Sequence, residues 1–402
     1  MKVELLAPAG SMECLETAYY FGADAAYIAG TEFGLRAYAA NFSRDEIKSA
    51  AGLAKKLIRK LYITVNSVIS GSQINEMAEY LFFLADTGVD AVIFSDPAVL
   101  KTVRDLKIPL ELHLSTQANT FNFASASFWH ELGVRRVVLS RELSLDEIRT
   151  INKNKPKELD IEVFVHGAMC VAYSGRCLLS YALTGRSGNK GECAQPCRWE
   201  YYLYEKGYEG QYFPVSEDEK GTYVLNSKDL MMIEYIPDLI EAGISSFKIE
   251  GRMKSPYYVA STVNAYRRAI DSFYRDGGKY VFDQNLKDEL VKSASRPFST
   301  GFFFGRAQQD ILREPGERRY SFVGVVLQDA EGGEVKIEQR NKFLAGDTLE
   351  VLSPDLKNER ITVEKIVNEE GGLQESAPHP QQNVRINCNL PLKKGDILRK
   401  LI

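Results

Sequence analysis

The stretch FGADAAYIAG, residues 21–30, closes an amphipathic run with a glycine and opens a short apolar run soon after. The same phrase recurs as TGVDAVIFS (87–95), LGVRRVVLS (132–140) and AGISSFKIE (242–250). Glycine suits the left-handed position just past a helix end, which is where Gly22, Gly88, Gly133 and Gly243 stand. The apolar runs read as buried parallel strands. Four more strands fit between them, at Val3–Ala7, Leu61–Asn66, Leu110–Leu114 and Ile161–His166. About eight strand–helix units point to a (β/α)8 barrel. A doubly wound open sheet is the alternative, and the absence of G-x-G-x-x-G after the first strand counts against its dinucleotide-binding form.

The chain has 402 residues, too many for one small core. A closing helix is expected from Ser255, a cap, and Pro256, with Val259, Val263, Tyr266 and Ile270 on one face and Gly277 and Gly278 at its end. Residues 1–278 therefore form the barrel domain, interrupted by a cysteine-rich insertion at about 167–222. A connector at 279–319 carries RPFSTGFFFGR. From residue 320 to 402, short alternating runs (FVGVVL, EVKIEQ, DTLEVL, RITVEKIV, NVRINC, DILRK) predict a small C-terminal β-barrel. Within it LAGDTLEVL and KKGDILRK each set Gly-Asp before a strand.

Hydrophobic residues make up 45% and charged residues 26%, ordinary for a globular chain. The start, MKVELLAPAGSMECLE, has no long apolar run. No later segment approaches the roughly 18 apolar residues of a membrane span. The expectation is a cytoplasmic protein with no membrane contact, in which thiols stay reduced. A net charge of −4 gives no global attraction to nucleic acid, so any such contact rests on a local patch.

Four of the six cysteines, Cys170, Cys177, Cys193 and Cys197, fall in one insertion after the strand that ends at His166. In a (β/α)8 barrel the loops after strands build the active face. The Cys-x6-Cys-x15-Cys-x3-Cys spacing lacks the two C-x2-C knuckles that zinc ribbons prefer. An iron–sulfur cluster tolerates such spacing, and Pro196 stands beside the last thiol as in some ferredoxin runs. Zinc on the same four thiols and a reactive thiol, with His166 near Cys170, are the other options. Isolated Cys14 and Cys388 read as small buried hydrophobes. Protease motifs are missing: HELGV from His130 has Val134 where H-E-x-x-H needs histidine, and no G-x-S-x-G occurs.

Candidates at the barrel mouth are Asn66, His113, Ser115, Gln117, His166, Lys248, Glu250, Arg252 and Lys254. Lys248 and Glu250 alternate with Phe247 and Ile249, so both are expected to point into the barrel, for chemistry or as a structural ion pair. Arg252 and Lys254 can hold a carboxylate or phosphate. Around the cysteines Arg176, Arg186, Lys190 and Arg198 interleave with Tyr173, Tyr181, Trp199, Tyr201 and Tyr202. That mixture suits an unstacked RNA base, and equally offsets the charge of a thiolate cluster.

The segment EVFVHGAMCVAYSGRCLLS (162–180) resembles the signature of peptidase family U32. LLAPAGSMECLETAYYFGADAAYIAG, FKIEGRMKSPYYV and ESAPHPQQ are similar to that family as well. The resemblance implies a TIM-like barrel in which Cys170, Cys177, Cys193 and Cys197 bind a [4Fe-4S] cluster. Some relatives take the fourth cysteine from further downstream, where this chain has Met231 and Met232. Members are described as collagenase-like proteases or as RNA or ubiquinone hydroxylation proteins. A barrel followed by a β-domain is similar to the branch named for tRNA hydroxylation, which makes wobble 5-hydroxyuridine with prephenate implicated. The implied function is a tRNA uridine hydroxylase. Its partners are tRNA and a small anionic co-substrate, with a homo- or hetero-oligomer with a family paralogue in view. A U32-type peptidase and a non-catalytic iron–sulfur scaffold are the alternatives. Expected catalytic residues are His113, His166, Lys248 and Glu250; expected substrate contacts are Asn66, Gln117, Arg176, Arg198, Arg252 and Lys254.

Overall fold

The structure, a computed structural model, describes residues 2–35, 41–170, 228–294, 296–305, 320–355 and 359–402, with parts of 177–222. Eight parallel strands form its first domain: β1 (Glu4–Pro8), β2 (Ala25–Ala29), β3 (Lys60–Val65), β4 (Ala91–Phe94), β5 (Glu111–Leu114), β6 (Arg136–Val138), β7 (Asp160–Gly167) and β8 (Ser246–Ile249). Each pairs with the next, and β8 pairs in parallel with both β7 and β1, which closes the ring. A helix follows every strand: α1 (Met12–Tyr20), α2 (Arg44–Lys56), α3 (Ile74–Thr87), α4 (Pro97–Asp105), α5 (Phe123–Glu131), α6 (Leu145–Asn154), α7 (Ile236–Glu241) and α8 (Pro256–Asp276). The repeated glycines act as the sequence predicts. Gly22, Gly88, Gly133 and Gly243, with φ of 101, 74, 102 and 80°, each join a helix to the next strand. Ser255 caps α8 by accepting from the Tyr258 amide, and Val259, Val263, Tyr266 and Ile270 are fully buried against the barrel.

Strand alternation divides the lumen into two halves. On β1–β4 the inward residues include Leu6, Ala25, Tyr27, Tyr62, Ala91 and Ile93, which form an apolar cluster separate from the main core. On β5–β8 the inward residues include His113, Arg136, Glu162 and Lys248, all buried. They build an ionic ladder. Arg136 donates to Glu4 and, at 3.1 Å, to Glu162; Lys248 donates to the other Glu162 oxygen at 2.8 Å. Burial alone would raise the Glu4 carboxyl, but the Arg136 charge and hydrogen bonds outweigh it and hold the pKa near about 2. Burial likewise opposes ionisation of Glu162, and Lys248 and Arg136 prevail, keeping it low.

One irregularity redirects a predicted site residue. Lys248 pairs with Phe164 but Ile249 pairs with His166, so β7 carries an extra residue at a bulge. The inside–outside alternation inverts there. The His166 ring lies among Tyr258 and Tyr266 of α8 and Phe298, with ring centroids 5.9, 5.5 and 5.3 Å away, on the helix side of the strand. His166 is therefore not at the mouth with Asn66 and Glu250, as its position in the strand predicts.

The segment after the barrel is more than a connector. Helix α9 (Gln284–Lys292) buries Leu286, Glu289 and Leu290, and Phe298–Ser299 pairs in parallel with Asp229–Leu230. The C-terminal domain has strands β9 (Tyr320–Val326), β10 (Glu334–Gln339), β11 (Thr348–Leu352), β12 (Arg360–Thr362), β13 (Ile366–Asn368), β14 (Leu373–Gln374), β15 (Asn383–Asn387) and β16 (Ile397–Leu401). They form one antiparallel sheet in the order β12-β11-β16-β9-β10-β15-β13-β14 around its own core. The two Gly-Asp pairs make the same turn. Gly346 and Gly395 are left-handed at φ of 92 and 99°, and the Asp347 and Asp396 carboxylates accept from Leu344 and Lys393 amides at 2.8 and 2.9 Å. Arg399 of β16, fully buried, binds Glu289 of α9 at 2.7 Å and Glu350 of β11, tying this domain to the first.

Burial, and then the Lys254 charge, lower the His166 pKa from 6.5 to about 3. The unfolded chain then binds a proton that the folded chain refuses, so stability is full above 6.5 and falls as pH drops toward 3. Urea midpoints of the chain should decline below pH 6.5, and His166→Phe should flatten the decline before the carboxylates titrate. An unchanged slope in that variant would contradict a neutral buried His166.

Candidate functional site at the barrel mouth

The C-terminal ends of the strands bring several predicted residues together. Asn66 follows β3 and Gln117 follows β5; the Asn66 Nδ2 donates to Gln117 Oε1 at 2.6 Å. Gln117 Nε2 donates back to the Asn66 carbonyl at 3.3 Å, and Ser115 and Ser95 hydroxyls brace the pair. The Asn66 Oδ1 accepts from the Leu35 amide at 3.2 Å, while buried Arg252, after β8, donates to the Leu35 carbonyl. Asn66, Gln117 and Arg252 thus converge on one loop. Glu250 lies across the mouth, where Arg141 reaches it at 3.4 Å and also donates to the Ala168 carbonyl at 2.7 Å. The Arg141 guanidinium stacks 3.8 Å above the Phe164 ring. Lys248 is one level lower, its ammonium 4.5 Å from the Tyr27 ring centroid. Lys254 is half-buried over Tyr258.

His113 is brought into the barrel but faces its lower half. Its Nε2 meets Glu111 at 2.9 Å and its ring packs edge-on against Tyr62. Burial lowers its pKa, Glu111 opposing, so the imidazole is neutral near pH 7. Arg176 lies outside the described residues. Arg198 ends a short turn at Pro196–Arg198, and its side chain is outside the described residues too.

Sequence reasoning missed Arg141, Phe164, Arg136 and Glu162. Arg141 had a signal: it comes directly after LGVRRVVLS, at the strand end where mouth residues belong. The ladder had none, because Glu4, Arg136 and Glu162 are far apart in sequence.

Cys170 is exposed three residues beyond Gly167, at the top of β7. Cys193 is exposed, and Cys177 and Cys197 are half-buried. The Gln195 amide, with Gln195 left-handed at φ 57°, donates to Cys193 Sγ at 3.3 Å. Ser180 in the short helix Leu179–Thr184 accepts from the Ala194 amide at 3.0 Å, fastening the two cysteine arms together. The Gln195 amide gives Cys193 the kind of N–H donor that a thiolate accepts. Among the described residues no three His, Cys, Asp or Glu side chains are gathered as a metal site. Met231 of the strand Asp229–Met231 lies opposite His166, beside the root of the cysteine segment. Cys14, Sγ 3.7 Å from the Lys254 carbonyl, and Cys388 are buried.

The mouth depends on close backbone approach. Gly167 has φ 104°, and a side chain there would collide with the Glu250 carbonyl and press on the Tyr258 hydroxyl. Gly88 is also left-handed, at φ 74°, but has open space around it. Gly88→Ala should cost about 1 kcal/mol and Gly167→Ala at least about 2 kcal/mol by chemical denaturation. Equal costs would contradict the close approach.

Peptidase family U32 matches residues 10–313, and its C-terminal domain matches 318–399. The tRNA hydroxylation protein P1 of Bacillus subtilis (strain 168) is 40% identical over 403 residues, covering 99% of this chain and 95% of its own. The tRNA hydroxylation protein P of Escherichia coli (strain K12) is 36% identical, covering 94% of this chain and 92% of its own. The 23S rRNA 5-hydroxycytidine C2501 synthase of Escherichia coli (strain K12) is 37% identical, covering 77% of this chain and 46% of its own. Matches to both domain models and similarity along nearly the whole length agree with the barrel and its appended β-domain: the chain belongs to peptidase family U32.

Proposed function

We propose that this chain is an enzyme that hydroxylates RNA, and specifically that it converts the wobble uridine of tRNA to 5-hydroxyuridine without molecular oxygen. The observation that carries the reading is the cysteine segment leaving β7 directly beside a mouth of amides and cations. Asn66 and Gln117 present the mixed donor and acceptor groups that read a base edge. Arg141, held over the Phe164 ring, offers a guanidinium on which a base can stack. Arg252 and Lys254 suit phosphate or carboxylate. Trp199 and Tyr181, both exposed on the insertion, add stacking surface. Cys170, Cys177, Cys193 and Cys197 would hold a [4Fe-4S] cluster, which supplies single electrons at low potential. Prephenate is the small anionic co-substrate in this reading. Relatives that share almost the full length and are named for RNA hydroxylation support it over the family's peptidase name.

The peptidase reading needs a base for Cys170. His166 is its neighbour in sequence, but that ring faces Tyr266 and Phe298 and stays neutral, a poor partner for a thiolate. A non-catalytic iron–sulfur scaffold would need another subunit for activity.

Purified without air, the chain should be brown and carry about four irons. Cys170→Ala, Cys177→Ala and Cys193→Ala should bleach it and abolish 5-hydroxyuridine in tRNA from a strain lacking the native protein, measured by nucleoside mass spectrometry. Retained colour in Cys197→Ala would move the fourth ligand elsewhere. Bleached variants that keep full hydroxylation, or a colourless chain with one tight zinc, would contradict the cluster.

A further inference from the structure

Helices α1, α2, α4 and α5 end in the same turn. The Ala23, Arg59, Ile108 and Val134 amides each donate to a carbonyl five residues back, and the residue before each is left-handed. Two of those residues are Gly22 and Gly133, which adopt the conformation freely. The other two are Ile58 and Lys107, at φ of 54 and 51°. A β-branched side chain is a poor choice there. Ile58 nevertheless holds it while 93% exposed, so no packing within the chain offsets the strain. Leu57 and Leu106, one residue earlier in each turn, are exposed as well, at 44 and 48%. Lys55, Lys56, Arg104 and Lys107 surround them, all exposed and without an ion pair among the described residues; Asp105 is taken by Lys101. A helix C-terminus attracts cations on its own account. That does not explain three aliphatic side chains turned to water, nor isoleucine where glycine is unstrained. Strain kept at an exposed apolar point is the mark of a contact surface.

The chain carries a surface of the opposite charge. In the hairpin of β13 and β14, Leu373 is 76% exposed between exposed Glu370 and Glu375, and neither carboxylate has a cation among the described residues. Leu344, also exposed, lies alongside, since it pairs with Ser376. The hairpin's domain is fastened to the β8–β1 flank of the barrel, by Tyr20 of α1 to Asp396 at 2.8 Å and by Arg399 to Glu289 of α9. The strained turns lead into β3 and β5, across the ring from that flank. The two surfaces therefore meet between copies rather than within one.

We propose that the turns at Leu57–Ile58 and Leu106–Lys107 dock on the β13–β14 hairpin of a second copy of this chain. The three aliphatic side chains cover Leu373 and Leu344, and the four cations face Glu370 and Glu375. With no aromatic ring in either turn, a nucleobase has nothing to stack on there. Unlike surfaces meet, so copies join head to tail. The turns stand where the chain enters the strands, and the mouth at the opposite end stays open. The contact is thus independent of the reaction assigned to the mouth.

Sedimentation velocity of the full chain over a concentration series reads the contact. The average mass should rise with concentration. Raising the salt from about 0.1 to about 1 M should weaken association, because the screening length falls from about 10 to about 3 Å. Ile58→Gly should weaken it at least about tenfold while raising the urea midpoint, since glycine relieves the left-handed strain. Leu373→Ser should weaken it and leave the urea midpoint unchanged. Lys55→Glu with Lys56→Glu should abolish it, and mixing that variant with one carrying Glu370→Lys and Glu375→Lys should restore it. A chain that is monomeric throughout, or whose association survives both Ile58→Gly and Leu373→Ser, overturns the proposal. So does a monomeric chain that binds phosphatidylserine vesicles or tRNA through these turns, read as binding lost in the Lys55→Glu, Lys56→Glu variant.

Discussion

A fully buried carboxylate needs cations around it, and Glu162 has two. Lys248 and Arg136 bind its two oxygens, and Arg136 passes the constraint on to Glu4. These residues come from β7, β8, β6 and β1, the four strands where the ring closes. The desolvation cost of such a ladder is large, and removing one partner typically costs 3–5 kcal/mol (about the stability of a small domain). The ladder therefore sets the relative heights of the closing strands. Those heights decide which residues reach the mouth: Arg141 from the end of β6, Cys170 from β7, and Glu250 and Arg252 from β8.

Placing charge in half the lumen has a second consequence. A barrel filled with apolar layers is a packed core with its chemistry confined to the loops. Here the polar half continues upward from the ladder through Lys248 and Arg141 to Glu250, with aromatic rings of Tyr27 and Phe164 between the cations. Electrostatic interactions there act in a low-dielectric setting, shielded from water by the strands. The site is thus built from the residues that directly follow rigid strand ends. The C-terminal domain is held with similar stiffness, since Arg399 can leave Glu289 and Glu350 only by exposing buried charge.

Much of this was legible in the sequence, for local reasons. A glycine after an amphipathic run has one cheap conformation, and Gly22, Gly88, Gly133 and Gly243 all adopt it. Ser255 and Pro256 start a helix by rules that involve only their neighbours. Asn66, Gln117, Glu250 and Arg252 were found because strand ends converge in this fold. His166 was misplaced because a bulge opposite Lys248 and Ile249 inverts the alternation, and a bulge leaves no mark in a periodic pattern. His113 was set too high, since its partner Glu111 draws it to the lower end. The ladder stayed hidden because its members meet only after closure.

The proposed hydroxylation requires one chain to act on RNA at the barrel mouth. Anaerobic incubation of the purified, iron-loaded chain with tRNA and prephenate, followed by nucleoside mass spectrometry, tests it most directly. The expected product is 5-hydroxyuridine at the wobble position, made by the chain alone and lost with Arg141→Ala. No modified uridine from a folded, iron-loaded chain, with cleavage of a gelatin substrate in its place, would contradict it.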